Sequence, residues 1–132
     1  MRSIGMLFAL FALFALFAGL WAGPVLAEGD AAAGEVVFKK CGACHVAAEP
    51  KNKVGPTLNG LFGRQAGTLE GYRYSPGMVA YGESGVVWNE DTLMVYLEKP
   101  RDLVKGTKMA FPGLPSEEDR ANVIAYLEQF SK

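Results

Sequence analysis

The chain has 132 residues, with 13 basic and 14 acidic side chains, two cysteines and one histidine. That length holds one small domain. A net charge of −1 offers no basic field for nucleic acid, and two Cys with one His are too few for a zinc framework.

Residues Met1 to Ala27 carry a single charge, Arg2, followed by an apolar run built on the repeating phrase Leu-Phe-Ala. Gly23-Pro24 breaks any helix, and Val25-Leu26-Ala27 supplies the small residues that a signal peptidase needs. The stretch reads as a secretory signal peptide, residues 1–27, cleaved between Ala27 and Glu28. The rival is an uncleaved anchor, since the run is long enough to span a bilayer. Only Glu28 and Gly29 then separate it from the next helix, which is no linker for a tethered domain, and cleavage is the favoured reading. The remaining domain, 28–132, loses Arg2 and carries 12 basic against 14 acidic side chains, a formal −2.

Asp30 is a good N-cap for a helix from Ala31 to Lys40, with Val37 and Phe38 on its apolar side. Gly34 interrupts it at a cost of about 1 kcal/mol relative to Ala, which points to close contact with another helix. The helix leads into Cys41-Gly42-Ala43-Cys44-His45. C-x-x-C-H is the attachment pattern for c-type haem. Thiols three residues apart share one side of a helical turn, where they can add to the two vinyl groups, and the adjacent His supplies an axial nitrogen. A zinc knuckle lacks its second ligand pair. A thioredoxin-like motif lacks a preceding strand, and a disulfide across two residues is strained and leaves His45 without a purpose.

From Val46 to Tyr74 the chain is aperiodic and rich in breakers. So long a loop in a compact domain is functional or wrong; it makes sense if haem supplies the missing core. Ser75-Pro76 starts a short helix to about Ala80, with Ser as cap and Pro at the first position. Asn89 caps another with Glu90 and Asp91 in its first turn, a buried stripe of Leu93, Tyr96 and Leu97, and Pro100 as its stop. Arg101 to Pro115 is irregular. Ser116 opens the last helix, Asp119 making a weak capping box, with an apolar face of Val123, Ile124, Tyr126, Leu127 and Phe130. The first and last helices should cross, Gly34 admitting Tyr126 or Leu127. No strand pattern is present, and the fold class is all-α with long loops.

A haem held by one His has a sixth position to fill, by a Met thioether, a Lys amine, water or nothing. Met94 and Met78 lie in helices and read as packing. Met109 lies in the loop Gly106-Thr107-Lys108-Met109-Ala110-Phe111, which could present it to the haem, although Met is also a common gap-filler. Thioether sulfur favours Fe(II), so His/Met ligation raises the potential. It also closes the site to oxygen chemistry, which argues for electron transfer over catalysis.

Almost the whole of 28–132 resembles class I cytochrome c, of the mitochondrial and bacterial c-two kinds. The matching pieces are Gly29 to Gly34 with Phe38, Cys41 to His45, Gly55 to Leu58, Gly60 to Arg64 and Gly71 to Ser75. They continue with Trp88, Thr92 to Met94, Tyr96-Leu97, Pro100, Gly106 to Met109 and Ile124 to Leu127. Lys105 departs from the pattern, standing where a Pro often precedes the Gly-Thr-Lys-Met run, and the segment from Tyr74 to Trp88 is a few residues longer than in mitochondrial forms.

The resemblance implies a small class I cytochrome c fold with loops wrapped around one covalently bound haem c. Cys41 and Cys44 would form the thioethers, and His45 and Met109 the axial ligands. The Pro56 carbonyl would accept from the His45 ring. Arg64, Tyr74, Trp88 and Thr107 would meet the propionates, whose buried charge needs partners. Tyr96 would donate toward Met109. It further implies a monomeric periplasmic electron carrier, not an enzyme. Its transient partners would be a cytochrome bc-type complex as donor and a terminal oxidase or photosynthetic reaction centre as acceptor. Lys39, Lys40, Lys53, Arg101, Lys108 and Phe111 would surround the haem edge and steer docking. Two alternatives stay open: a haem enzyme or gas binder with a labile sixth ligand, and a dedicated acceptor of one periplasmic dehydrogenase.

Overall fold

The computed structural model describes residues 28–132; the expected signal peptide lies outside the described residues. Five helices follow in order: α1 (Ala31–Phe38), α2 (Pro76–Glu83), α3 (Glu90–Tyr96), α4 (Pro100–Leu103) and α5 (Glu117–Glu128). The only extended pairing among the described residues is an isolated antiparallel bridge between Gln65 and Val87. The expected all-α architecture is therefore observed.

Four of the five helices begin where a side chain satisfies free amides; α4, preceded by Lys99, has no such cap. Asp30 Oδ1 accepts from Ala32 N and Ala33 N at 2.9 and 3.3 Å, and Ser116 Oγ accepts from Asp119 N at 3.2 Å. At α3 the box is reciprocal: Asn89 Oδ1 accepts from Thr92 N while Asn89 N donates to Thr92 Oγ1, both at 2.9 Å. Three boundaries differ from expectation. The first helix ends at Phe38 instead of Lys40, its last turn passing into the turns of the motif, and the second runs on to Glu83 instead of ending near Ala80. Pro100 does not merely stop α3, which ends at Tyr96; it starts α4 at the first helical position. Proline has no N–H to lose there, and its fixed φ already suits a helix.

α1 packs across α5, the principal helix pair. A Cβ on Gly34 would lie 1.9 Å from Asn122 O and 2.9 Å from Tyr126 Cβ, so only glycine permits this approach. The contact falls on Asn122 and Tyr126, not on Leu127. Asp30 N also donates to Asn122 Oδ1 at 2.8 Å, locking the two helices in register. Val123, Ile124 and Leu127 of α5 are buried, at about 1.5–3 kcal/mol each. Two polar residues share that buried face. One is Asn122; the other is Arg120, whose Nη1 donates to Leu114 O at 2.6 Å and Pro115 O at 3.1 Å.

The long loop closes on itself through hydrogen bonds, as buried backbone must. Thr57 Oγ1 donates to Glu49 O at 2.6 Å, Leu58 N to Val46 O at 2.8 Å, and Asn59 Nδ2 to Ala47 O at 3.0 Å. The apolar interior is split in two. A larger cluster includes Leu61, Trp88, Leu93, Tyr96, Val104 and Ile124, and a smaller one joins Val37, Leu114 and Val123.

Candidate functional site

The helical path of α1 continues through the motif. Cys41 N and Gly42 N donate to Phe38 O, and Cys44 N and His45 N donate to Cys41 O, at 2.7–3.0 Å. Both half-buried thiols therefore ride on one turn. Burial pushes the Cys41 thiol up, the charge of Lys40 pulling the other way. The His45 imidazole is clamped from the loop. Its Nδ1 lies 2.8 Å from Pro56 O, and a carbonyl only accepts, so Nδ1 carries the proton and Nε2 keeps a lone pair. Gly55 lies flat against the ring, where a Cβ would come within 2.5 Å of Cε1. Burial lowers the His45 pKa, favouring the neutral ligating form, although the Pro56 bond pulls it up. Lys53 closes the clamp from outside, Nζ donating to Gly42 O at 2.8 Å.

These residues face a largely apolar cavity of about 650 Å³. Met109 lines it too. Its N donates to Thr107 Oγ1 at 3.2 Å, and Lys108 Nζ donates to Arg73 O at 2.7 Å, so both neighbours fix the Met109 loop. Pro56, Arg64, Tyr74, Trp88, Tyr96 and Thr107 line the same cavity. Arg64 is partly committed elsewhere, giving Nη1 to Thr57 O at 2.9 Å and Nη2 to Asn59 O at 2.7 Å. Burial raises the Tyr74 pKa, with opposing pulls from the Leu69 backbone and Arg64. Burial raises Tyr96 far more strongly, with a contribution from Tyr81, so its hydroxyl stays a proton donor.

The six residues expected at the docking edge divide. Lys40, Lys108 and Phe111 line the cavity. Lys53 binds the motif backbone, and an Arg101 guanidinium nitrogen donates to Ala110 O beside Met109. Lys39 is exposed and outside the cavity lining. Met78 and Ser75 also line the cavity; Met78 was expected only to pack, and the Ser75 cap that fixes it was the available signal.

Paired thiols on one turn, an imidazole with a free Nε2, a thioether and a largely apolar cleft fit covalently held haem. Comparison with known proteins agrees. The family model for cytochrome c matches residues 31–131. Cytochrome c-554 of Methylosinus trichosporium is 51% identical over 110 residues, spanning 83% of this chain and 81% of the relative. Cytochrome c2 of Rhodoblastus acidophilus is 52% identical over 103 residues, spanning 77% and 94%. The solved structure of cytochrome c2 from Rhodospirillum centenum matches with a TM-score of 0.71 at 46% identity, over 79% of this chain and all of that one. The chain thus belongs to the cytochrome c family, electron carriers built on a covalently bound haem c.

Proposed function

We propose that residues 28–132 act as a periplasmic one-electron shuttle, taking electrons from a quinol-oxidising cytochrome bc-type complex and passing them to a terminal oxidase or photosynthetic reaction centre. The observation that carries the reading is one cavity gathering Cys41, Cys44, His45 and Met109. When bound, haem supplies an Fe(II)/Fe(III) couple. Cys41 and Cys44 would hold it through thioethers, and His45 would meet iron through Nε2, its ring fixed by Pro56 O. Met109 would supply the second protein ligand, and a haem held by both residues would have no open position for a substrate. Tyr96, on the same cavity wall, would donate toward the Met109 sulfur once that sulfur is on the iron. Arg64, Tyr74, Trp88 and Thr107 meet the propionates, the fixed guanidinium setting a positive charge in the wall.

Charge placement supports transient docking. Lys40, Lys108 and Phe111 stand at the cavity, with Lys53 and Arg101 bound beside it and Lys39 exposed outside the lining. A separate cleft, where α1, α3 and α5 begin, is lined by Glu28, Asp30, Glu90, Glu117 and Glu118. Such a dipole steers the cavity edge to acidic partners. No helix among the described residues is long and apolar enough to cross a membrane. Removal of residues 1–27 would release a monomer, and the mass of the purified protein should then correspond to a haem-bearing chain beginning at Glu28.

Met109→Ala decides the ligation. It should abolish the upfield-shifted methionine methyl resonance of the ferrous protein and lower the midpoint potential. An unchanged resonance and midpoint would refute the assignment. Oxidation by a partner should slow as salt rises toward 0.15 M, where the Debye length is about 8 Å; salt-independent rates would refute steering.

A further inference from the structure

One wall of the cavity has no part in the ligation scheme. Met78, in the first turn of α2, lines the cavity and packs on the cluster containing Trp88, Tyr96 and Val104. Its neighbour Gly77 touches the segment leading to Met109. A Cβ there would lie 1.9 Å from Lys105 O and 3.5 Å from Val104 Cγ1. Val104 O accepts from Thr107 N, and Thr107 Oγ1 accepts from Met109 N. One turn on, Tyr81 shares the same face of α2, its ring centroid 6.0 Å from Trp88 and 6.1 Å from Tyr96. The first turn is also fixed, because Met78 N donates to Ser75 Oγ at 3.2 Å, and Ser75 itself is only 4% exposed. Met78 thus lines a wedge of the cavity beside the aromatic wall, on a turn whose Gly77 abuts the segment that places Met109.

We propose that Met78 tunes the reduction potential by keeping the Met109 side of the cavity dry. The inference rests on the haem reading above. Ferric haem carries one more positive charge than ferrous haem, so a polar or wet neighbour favours the oxidised form and an apolar one the reduced form. A thioether is polarizable but a weak acceptor and no donor, so it fills the wedge without holding a water. A polar side chain of equal length would bring hydrogen-bonding atoms, and a shorter polar one would admit solvent.

The test compares M78Q, M78T and M78L in the haem-loaded protein. Spectroelectrochemical titration gives the midpoint, and ferrous-state NMR follows the Met109 methyl resonance. M78Q and M78T should each shift the reduced-to-oxidised ratio about threefold toward oxidised, about 30 mV for one electron at 59 mV per tenfold. M78L should match the parent, and all three should keep the Met109 resonance. A parent-like midpoint in M78Q and M78T overturns the inference, as does an equal fall in M78L, which would make shape the cause. Loss of the Met109 resonance in M78Q also overturns it, assigning Met78 a purely positional role. Absence of that resonance in the parent protein would instead remove the ligation reading beneath it.

Discussion

Replacing Gly34 by Ala tests how the molecule is held together. The added Cβ would sit 1.9 Å from Asn122 O, where ordinary contact begins near 3.4 Å, so the helices must part locally by about 1.5 Å. Overpacking of this kind costs about 1–3 kcal/mol. Parting the helices also strains the Asp30 N to Asn122 Oδ1 bond, worth about 0.5–1.5 kcal/mol. Alanine returns about 1 kcal/mol through helix propensity. The net loss is about 0.5–3.5 kcal/mol, or roughly 2–28 °C in Tm for a domain near 100 residues. Guanidinium unfolding of the haem-loaded protein measures it as a lower midpoint at unchanged slope. Gly42→Ala is the control, since its Cβ would meet nothing nearer than 3.7 Å; it should stay within about 0.5 kcal/mol of the parent. A Gly34→Ala protein as stable as the parent would mean that propensity outweighs the contact, and the crossing argument would fail.

Two further substitutions probe the loops. Asn52 Oδ1 accepts from the buried Thr57 N at 2.8 Å, and its Nδ2 reaches Gly71 O at 3.4 Å. Asn52→Ala should cost about 1–2 kcal/mol and speed hydrogen exchange at Thr57; unchanged exchange would show that the bond carries nothing. Arg120→Met removes the donor from the Leu114 and Pro115 carbonyls and should destabilise by about 2–4 kcal/mol. Exchange at Leu114 N, which donates to Leu97 O at 2.7 Å, should rise with it. An equally stable Arg120→Met would show that burying the cation cancels its bonds.

What the sequence disclosed was local. Asp30, Asn89 and Ser116 announce helix starts because a cap acts within three residues, and Cys41 to His45 announces a cofactor because attachment chemistry fits in one turn. Gly34 announced a close contact and Tyr126 as one of its two expected partners, but not the Asn122 carbonyl that lies nearest, 88 residues away in the chain. Pro100 misled because the same residue that cannot continue one helix is suited to begin the next. α2 outran its expected end because Gly82 seats against Ala66 O, where a Cβ would lie at 1.7 Å, a tertiary contact with no local signal. Arg120 and Asn122 are buried for the same kind of reason: their partners are backbone groups that no pattern along α5 reveals.

The split interior carries a consequence for the cofactor. Leu93, Tyr96, Leu127 and Val123 come from both apolar clusters and all face the cavity, so what fills it joins the two halves of the core. Unfilled, this apolar cleft of about 650 Å³ leaves its walls facing water, and at about 25 cal/mol per Å² each ~100 Å² so exposed costs about 2.5 kcal/mol. That is a large fraction of the whole stability of an ordinary domain, about 5–15 kcal/mol. The helices are too short to compensate, the longest having 12 residues, a length that is marginal in isolation. Cys41→Ala/Cys44→Ala protein produced without haem should therefore show little helical circular dichroism and no cooperative thermal transition. A native-like helical signal from that variant would mean that the loops and α1–α5 crossing fold unaided, and that haem is a passenger in a finished core.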